Sequence, residues 1–225
     1  MKTYKAFLFD LDGTLVDSSP SIYASLRNME QSMGLTPVPN ELLYKFVGPP
    51  LSDSFRTYYH ATDEQVPAML ENYRIDYREN TTQLSIVYPG VEELLEYLST
   101  HGCLIGIATL KHLQAAESAM EFSGLRKYIH AISALEDNKK SDKGTLIKEC
   151  MEQLGGISPE DVVFFGDSPY DGIGAREAGV DFVALTYGFG FLDPDSLDGI
   201  PYIFNATEPL QLVDFVKRTA RVAED

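Results

Sequence analysis

From residue 88 to the C-terminus, the chain alternates between short apolar segments and longer amphipathic segments. Apolar runs such as VVFFG at 162–166 are typical of strands buried on both faces of a parallel sheet. Because parallel neighbours are joined by crossover helices, this alternation predicts an α/β fold with a Rossmann-like parallel sheet and helices on both faces. The predicted strands are 103–109, 128–133, 162–168, 180–186 and 201–204. The predicted helices are 91–102, 112–124, 143–156, 169–179 and a last one with Thr207 as its N-cap.

The segment 17–86 lacks this alternation and has no convincing strand pattern. It follows a single apolar run at 5–9, which we predict to be the first, central strand of the sheet. A helical block inserted after the first strand predicts a small all-helical cap domain at 17–86, with a core formed by 1–16 and 87–225. The predicted cap helices are 20–33, 40–47, 51–60 and 63–80.

The charge balance of the chain limits the partners that it can bind. With 18 Lys and Arg against 34 Asp and Glu in 225 residues, the net charge is −16 at pH 7. We therefore expect no binding to nucleic acid or to anionic membranes. No segment has the about 20 consecutive apolar residues of a membrane span, and Asp10 and Asp12 interrupt the first apolar run, so we expect no signal peptide. Cys103 and Cys150 lie in apolar stretches, which predicts reduced thiols in a cytoplasmic protein.

Asp10 and Asp12 directly follow the first predicted strand. In such a sheet, ligands bind beyond the carboxyl ends of the strands, and two carboxylates at one strand end can point toward one site. A divalent cation would remove their repulsion, and hard carboxylate oxygens suit Mg²⁺. Gly13 and Thr14 then form a turn whose backbone N–H groups could face an anion. The alternative is that Asp12-Gly13 is an ordinary turn.

A second acidic pair, Asp167 and Asp171, comes after the apolar run VVFFG at 162–166, which forms most of the strand predicted at 162–168. Asp171 has the alternative role of a first-turn carboxylate that stabilises its helix through the dipole. Asp167, placed between Gly166 and Ser168 after an apolar run, is harder to explain structurally. Two acidic pairs at the same edge of one sheet predict a magnesium site.

Thr109 and Lys143 are the predicted donors to an anion at this edge of the sheet. A threonine hydroxyl at a strand end and a lysine ammonium can both hold phosphate oxygens. Lys143 opens a predicted helix, where its charge opposes the dipole, so we expect another reason for its position. Its rivals Lys139 and Lys140 are expected in a solvated loop. Lys111 is a weaker candidate, with a surface position as the alternative.

Together these residues resemble the haloacid dehalogenase superfamily, and within it the phosphatases with a helical C1-type cap, of the phosphoglycolate phosphatase kind. DLDGTLVDS (10–18) is similar to the first motif of that family and FFGDSPYDGIGAREAGV (164–180) to the fourth. Thr109 and Lys143 match the second and third motifs, and VGPPL (47–51) extends the resemblance into the cap.

The resemblance implies a role for each of these residues. Asp10 would be the nucleophile and Asp12 the general acid and base. Mg²⁺ would be held by the Asp10 side chain, the Asp12 backbone carbonyl and Asp167, with support from Asp171. Leu110 departs from the family, which often has Asn or Ser there, so any phosphate contact at Leu110 must come from the backbone.

The function predicted from these features is Mg²⁺-dependent hydrolysis of a small phosphomonoester, of the phosphoglycolate type, through an aspartyl-phosphate. The partner is then a small phosphorylated metabolite, and the protein a monomer or homodimer. Nucleoside monophosphates and pyrophosphate are alternative substrates. A sugar phosphomutase of the β-phosphoglucomutase kind is disfavoured because the segment just after Asp17 has no His, where those mutases carry one, and a dehalogenase because Asp12 is present. A non-catalytic binding or regulatory protein is the non-enzyme alternative.

Arg56 is the predicted cap residue that reaches the non-reacting end of an acidic substrate. The reason is that an acidic chain needs cations to receive an anion. The alternative is a surface arginine that pairs with Asp53, three residues earlier on the same helix.

Overall fold

A six-stranded sheet forms the centre of the computed structural model, which describes residues 2–137, 141–191 and 194–221. The sheet has the predicted parallel α/β arrangement, because every pair of neighbouring strands is parallel. In chain order the strands are β1 (Ala6–Phe9), β2 (Val16–Asp17), β3 (Ile86–Val87), β4 (Leu104–His112), β5 (Ala131–Leu135), β6 (Val162–Gly166), β7 (Asp181–Leu185) and β8 (Phe204–Ala206). Within the sheet the order is β5-β4-β1-β6-β7-β8, so β1 lies in the interior.

Helices flank both faces of this sheet and also form a separate unit. In chain order they are α1 (Ser19–Met33), α2 (Leu51–Tyr58), α3 (Val66–Asp76), α4 (Val91–Thr100), α5 (Leu113–Phe122), α6 (Lys143–Gln153), α7 (Pro169–Ala178) and α8 (Leu210–Thr219). Phe7 and Phe9 of β1 share an apolar cluster with α4, α5 and α8, whereas Ala6 and Leu8 share one with α6 and α7. All four side chains are fully buried, which explains why β1 is a continuous apolar run rather than an alternating one.

Helices α1, α2 and α3 belong to a helical unit, residues 19–84, that we call the cap. A 3-10 helix, Asn40–Phe46, precedes α2, and a π-helical turn, Tyr77–Thr81, follows α3 directly. The cap has an apolar cluster of its own, in which Leu26, Phe55 and Tyr73 are buried. This cluster is what a separate domain requires, and the division of the chain at 17–86 stays a prediction.

A short antiparallel ribbon connects the cap to the core. In it, Val16 pairs with Val87 and Asp17 with Ile86, so β2 and β3 run side by side where the chain enters and leaves the cap. The expectation that 17–86 contains no strand is therefore wrong at its two ends. The sequence pattern that would predict these strands is weak because each strand has only two residues.

Several element boundaries differ from the predicted ones. The strand expected at 128–133 is β5, which begins at Ala131 because the chain first makes a 3-10 turn at Arg126–Tyr128. The strand expected at 201–204 is β8, which starts at Phe204; Pro201 lacks the N–H that a ladder needs. Thr207 is not an N-cap, since α8 starts at Leu210 after Pro209. None of the helices in the described ranges is long and apolar enough to cross a membrane.

Candidate active site

Asp10, Asp167 and Asp171 converge at one edge of the sheet. Asp10 follows β1 and Asp167 follows β6, and these strands are neighbours with Phe9 paired to Phe165. Asp171 lies in the first turn of α7, which starts two residues after Asp167. One carboxylate oxygen from each of the three lies within 4.8 Å of the others, and all three residues are buried.

Lys143 supplies the positive charge of this cluster. Its Nζ lies 2.7 Å from Oδ1 of Asp10, 2.8 Å from Oδ1 of Asp171 and 3.1 Å from the carbonyl oxygen of Ala108. Burial alone would lower the pKa of Lys143, but the two carboxylates outweigh it and hold that pKa well above its ordinary value. Lys143 therefore stays positively charged and in contact with the Asp10 carboxylate.

The cluster still carries more negative than positive charge. Burial raises the pKa of Asp10 to about 6, against the opposing effect of Lys143. Burial, and then the carboxylates of Asp171 and Asp10, raise the pKa of Asp167 well above its ordinary value. One ammonium group cannot balance three buried carboxylates, and a divalent cation with oxygen ligands would do so. The residues present thus fit a metal site, as predicted for this edge.

Backbone N–H groups of a loop after β7 hold Asp167 in place. Its Oδ2 accepts hydrogen bonds from Phe189 N (2.6 Å) and Gly190 N (3.2 Å). Gly188 packs directly against Asp167, where a Cβ would collide with the carboxyl group. This loop is not among the predicted site residues. The signal that could have found it is the alternation of glycine and aromatic residues at 187–191 after a strand.

Asp171 contributes both to the start of α7 and to the acidic cluster. Its Oδ2 accepts hydrogen bonds from the backbone N–H (2.9 Å) and the hydroxyl (2.6 Å) of Ser168, which forms a capping box at the start of α7. Its Oδ1 faces Lys143. The residue therefore stabilises its helix and belongs to the acidic cluster.

Asp12 is paired with Lys111. The Lys111 Nζ donates to both carboxylate oxygens of Asp12, at 3.1 and 3.0 Å. The Lys111 side chain is only 7% exposed, so a surface position for it is wrong. The reason is that β4 continues to His112, three residues past its predicted end, and that Tyr77 of the cap covers Lys111, with Nζ 4.3 Å from the ring centroid.

Gly13 lies in the site, but for a different reason than expected. Its N–H donates to the carbonyl oxygen of Val16 (2.8 Å), and the N–H of Thr14 donates to that of Leu11 (3.3 Å). Both N–H groups are used within the turn, which contradicts the expectation that they face an anion. Gly13 has φ +81°, and a Cβ there would collide with the Asp167 carboxylate, so glycine is needed for close approach.

The other predicted site residues are partly buried near the carboxyl edge of the sheet and partly exposed on the cap. Thr109 is buried, and its Oγ1 accepts the N–H of Lys111 (3.2 Å). Leu110 lines the space between cap and core. Arg56 is 44% exposed and pairs with Asp53 (3.2 Å) and Asp63 (2.9 Å), which is the surface arrangement given as its alternative. Lys139 and Lys140 lie outside the described residues.

A small cavity lies between the cap and the core, beside Asp12. Its volume is about 100 Å³. Cap residues in its wall include Ile22, Phe46, Leu51, Leu70, Tyr73, Arg74 and Tyr77, and core residues include Asp12, Leu110, Lys111, His112, Ala115 and Leu135. Arg74 also ties the cap to the core, since its guanidinium lies 2.7 Å from Oδ1 of Asp137.

Comparison with known proteins places this geometry in a family. Residues 7–185 match the family of haloacid dehalogenase-like hydrolases. The putative pyrophosphatase PpaX of Clostridium perfringens is 30% identical over 95% of this chain and 98% of its own length. A phosphoglycolate phosphatase of Chromobacterium violaceum is 32% identical over 88% of this chain and 90% of its own length.

A third relative is longer than this chain. Tyrosine-protein kinase PtkA of Mycobacterium tuberculosis is 31% identical over 83% of the chain, which spans only 63% of that relative.

Among solved structures, a predicted phosphatase from Clostridium acetobutylicum has a TM-score of 0.85 at 31% identity, covering 96% of this chain and all of the other. The chain therefore belongs to the haloacid dehalogenase-like hydrolase family, as the resemblance of its motifs predicted.

Proposed function

We propose that this hydrolase is a Mg²⁺-dependent phosphatase that cleaves a small phosphomonoester, of the phosphoglycolate type, through an aspartyl-phosphate on Asp10. The observation that carries the proposal is the position of the Asp10 carboxylate, between the Lys143 ammonium and the buried carboxylates of Asp167 and Asp171. The similarity to a phosphoglycolate phosphatase supports the substrate class.

Asp10 is suited to attack phosphorus. Its Oδ1 is held by Lys143, which orients the carboxylate and leaves the other oxygen as the nucleophile. That oxygen forms a bond to phosphorus while the bond to the ester oxygen of the substrate breaks. Bound through Asp10, Asp167 and the Asp12 carbonyl, with Asp171 beside them, Mg²⁺ would neutralise charge on the phosphoryl oxygens.

Asp12 is suited to move the protons of both half-reactions. In the first, it protonates the departing alcohol oxygen. In the second, it accepts a proton from the water that attacks the phosphorus of the aspartyl-phosphate, and the Asp10 carboxylate is restored. Lys111 holds both oxygens of Asp12 in the described structure and so fixes the orientation of this carboxyl group.

Lys143 and Thr109 supply charge and a hydroxyl to the transferred phosphoryl group. Both are buried at the carboxyl edge of the sheet, where the low dielectric strengthens their interaction with an anion. The cap limits access of bulk water and the size of the substrate, because it walls the small cavity beside Asp12.

The proposal is tested by phosphate release from a panel of small phosphomonoesters, pyrophosphate and nucleoside monophosphates, with Mg²⁺ and with EDTA. We expect Mg²⁺-dependent release from small monoesters. Formation of an isomeric sugar phosphate without release would instead indicate a mutase. Absence of turnover on the whole panel would contradict a phosphatase and favour a binding protein.

A further inference from the structure

Among its described residues, the wall of the cavity between cap and core has more cations than carboxylates, whereas the chain as a whole has the reverse. The chain carries a net charge of −16. Among the described residues of the wall, Asp12 is the only carboxylate, whereas Lys111 and Arg74 are cations. Asp12 is neutralised by Lys111 at 3.0 Å. Arg74 in turn pairs with Asp137 at 2.7 Å, so the described residues of the wall include no unpaired carboxylate that would repel an anion.

Two further polar side chains lie on the same wall. Among the residues that the structure describes, neither the hydroxyl of Tyr77 nor the ring nitrogens of His112 make a well-formed hydrogen bond, although the hydroxyl lies beside Lys111 and the ring beside Asp137. Oδ1 of Asp137, which also pairs with Arg74, lies 3.5 Å from Nε2 of His112. Buried polar groups of this kind cost free energy unless a ligand or water satisfies them.

Lys111 is the cation of the wall that would bind an anionic group of the ligand other than its phosphate. An ammonium has three N–H donors, of which two go to Asp12, and the third lies on the side of Tyr77, where a ligand would share it with the tyrosine. A lysine is ordinarily charged at neutral pH, and its ion pair with Asp12 favours the charged form. Burial and Arg74 lower the pKa of His112, so its ring is neutral there and has one N–H to donate.

We propose that Lys111, Tyr77 and His112 form a subsite for the non-reacting carboxylate of a small phosphomonoester. This inference rests on the proposed phosphatase function and narrows its substrate class. The cavity, at about 100 Å³, is small compared with the roughly 300–1,000 Å³ of common ligand pockets, so it suits a compact acid rather than a nucleoside. Arg56, which pairs with Asp53 and Asp63 outside this wall, is not part of the subsite.

The subsite is tested first by kinetics on a matched pair of substrates, phosphoglycolate and the neutral 2-hydroxyethyl phosphate. Lys111→Met keeps the length of the side chain and removes its charge. We expect the ratio of kcat/KM for phosphoglycolate to that for 2-hydroxyethyl phosphate to fall about 10- to 100-fold, mainly through KM, as for the loss of a charged hydrogen bond. Equal losses on both substrates would mean that Lys111 only positions Asp12, and would overturn the proposal.

Lys45→Met is the matched control. Lys45 also lies over a tyrosine ring, 4.7 Å from the centroid of Tyr44, but it is exposed on the cap and outside the cavity wall. We expect it to leave the substrate ratio unchanged. A ratio that falls as much in Lys45→Met as in Lys111→Met would show a general charge effect and would also overturn the subsite.

A second measurement needs neither turnover nor a variant. Calorimetry on the wild-type protein with Mg²⁺ compares phosphonoacetate, which has a carboxylate, with ethylphosphonate, which has none. We expect phosphonoacetate to bind at least about 10-fold more tightly. Equal or tighter binding of ethylphosphonate overturns the subsite, whereas failure to hydrolyse any monoester contradicts only the phosphatase proposal.

Discussion

Gly174 on α7 leaves the space that the Lys143 side chain occupies on its way to Asp10. A Cβ on Gly174 would lie 2.6 Å from Cγ and 2.8 Å from Cβ of Lys143, and 2.9 Å from the backbone nitrogen of Gly144. Real Cβ atoms do not approach other atoms so closely, and the Gly144 backbone has little freedom to move. The contact between α6 and α7 therefore determines where the ammonium of the site lies.

The first prediction concerns this contact. Gly174→Ala should displace Lys143 from Asp10, lower kcat by 10-fold or more and, as roughly expected for overpacking, destabilise the fold by about 1–3 kcal/mol. Better helix propensity offsets up to about 1 kcal/mol of that. Phosphatase assays and chemical denaturation measure both effects. Arg176→Ala, at an exposed position of the same helix, is the control and should change neither; wild-type behaviour of Gly174→Ala would contradict the packing argument.

The second prediction is that Mg²⁺ stabilises the fold through Asp167. Saturating Mg²⁺ should raise Tm, because a ligand at about 100 times its Kd adds about 2.7 kcal/mol. Asp167→Asn should remove most of this shift, together with activity, and EDTA should have the same effect on the wild type. The measurement is thermal unfolding with and without Mg²⁺.

Asp161→Asn is the control for the metal prediction. Asp161 directly precedes β6 at the opposite end from Asp167, and it pairs with Lys5 and Arg221. The variant should therefore keep the full Mg²⁺ shift. An undiminished shift in Asp167→Asn would show that the ion binds elsewhere.

The third prediction concerns pH. Burial raises the pKa of Asp10 to about 6 in the metal-free protein, so the carboxyl group is protonated below that pH and ionised above it. Protons should then compete with Mg²⁺, and Mg²⁺ affinity should fall as pH decreases through 6. Calorimetry in buffers of different ionisation enthalpy should detect proton release near pH 6. Asp10→Asn should lose that release; the same release in this variant would assign it to another group.

The sequence predicted the acidic cluster because the cluster follows from topology. Asp10 and Asp167 each come directly after an apolar strand, and neighbouring parallel strands end at the same edge of a sheet, so no further information was needed to bring them together. Lys143 was predictable for a related reason, since a lysine at the start of a helix opposes the dipole unless it has acidic partners. Here those partners are Asp10 and Asp171.

What the sequence could not predict depends on how the cap sits over the core. Lys111 is buried because Tyr77, more than thirty residues earlier, covers it, and no local pattern indicates that contact. The backbone N–H groups of Phe189 and Gly190 hold Asp167 through a loop, where side-chain patterns carry little information. The pairing of Arg56, by contrast, could be predicted from the sequence, because its partner Asp53 is only three residues away on the same helix.

The last prediction separates the roles of Asp10 and Asp12. Asp10→Asn removes the nucleophile, so no phosphoenzyme can form. Asp12→Asn leaves the nucleophile and its contact with Lys143 in place, and attack on an aryl phosphate can proceed because its leaving group needs little protonation. Hydrolysis of the aspartyl-phosphate then stalls for lack of a base, by about 10²–10⁴-fold.

Intact-protein mass spectrometry after brief mixing with an aryl phosphate and Mg²⁺ reads out this difference. Asp12→Asn should show one added phosphoryl group, which Asp10→Asn lacks. The double variant Asp10→Asn with Asp12→Asn is the control for phosphorylation at other residues and should remain unmodified. A phosphoryl adduct that persists in Asp10→Asn would assign the nucleophile to another residue.

Because Lys111 donates to both oxygens of Asp12, the variant Lys111→Met should accumulate less adduct than Asp12→Asn: it loses the group that orients the base but keeps the base itself.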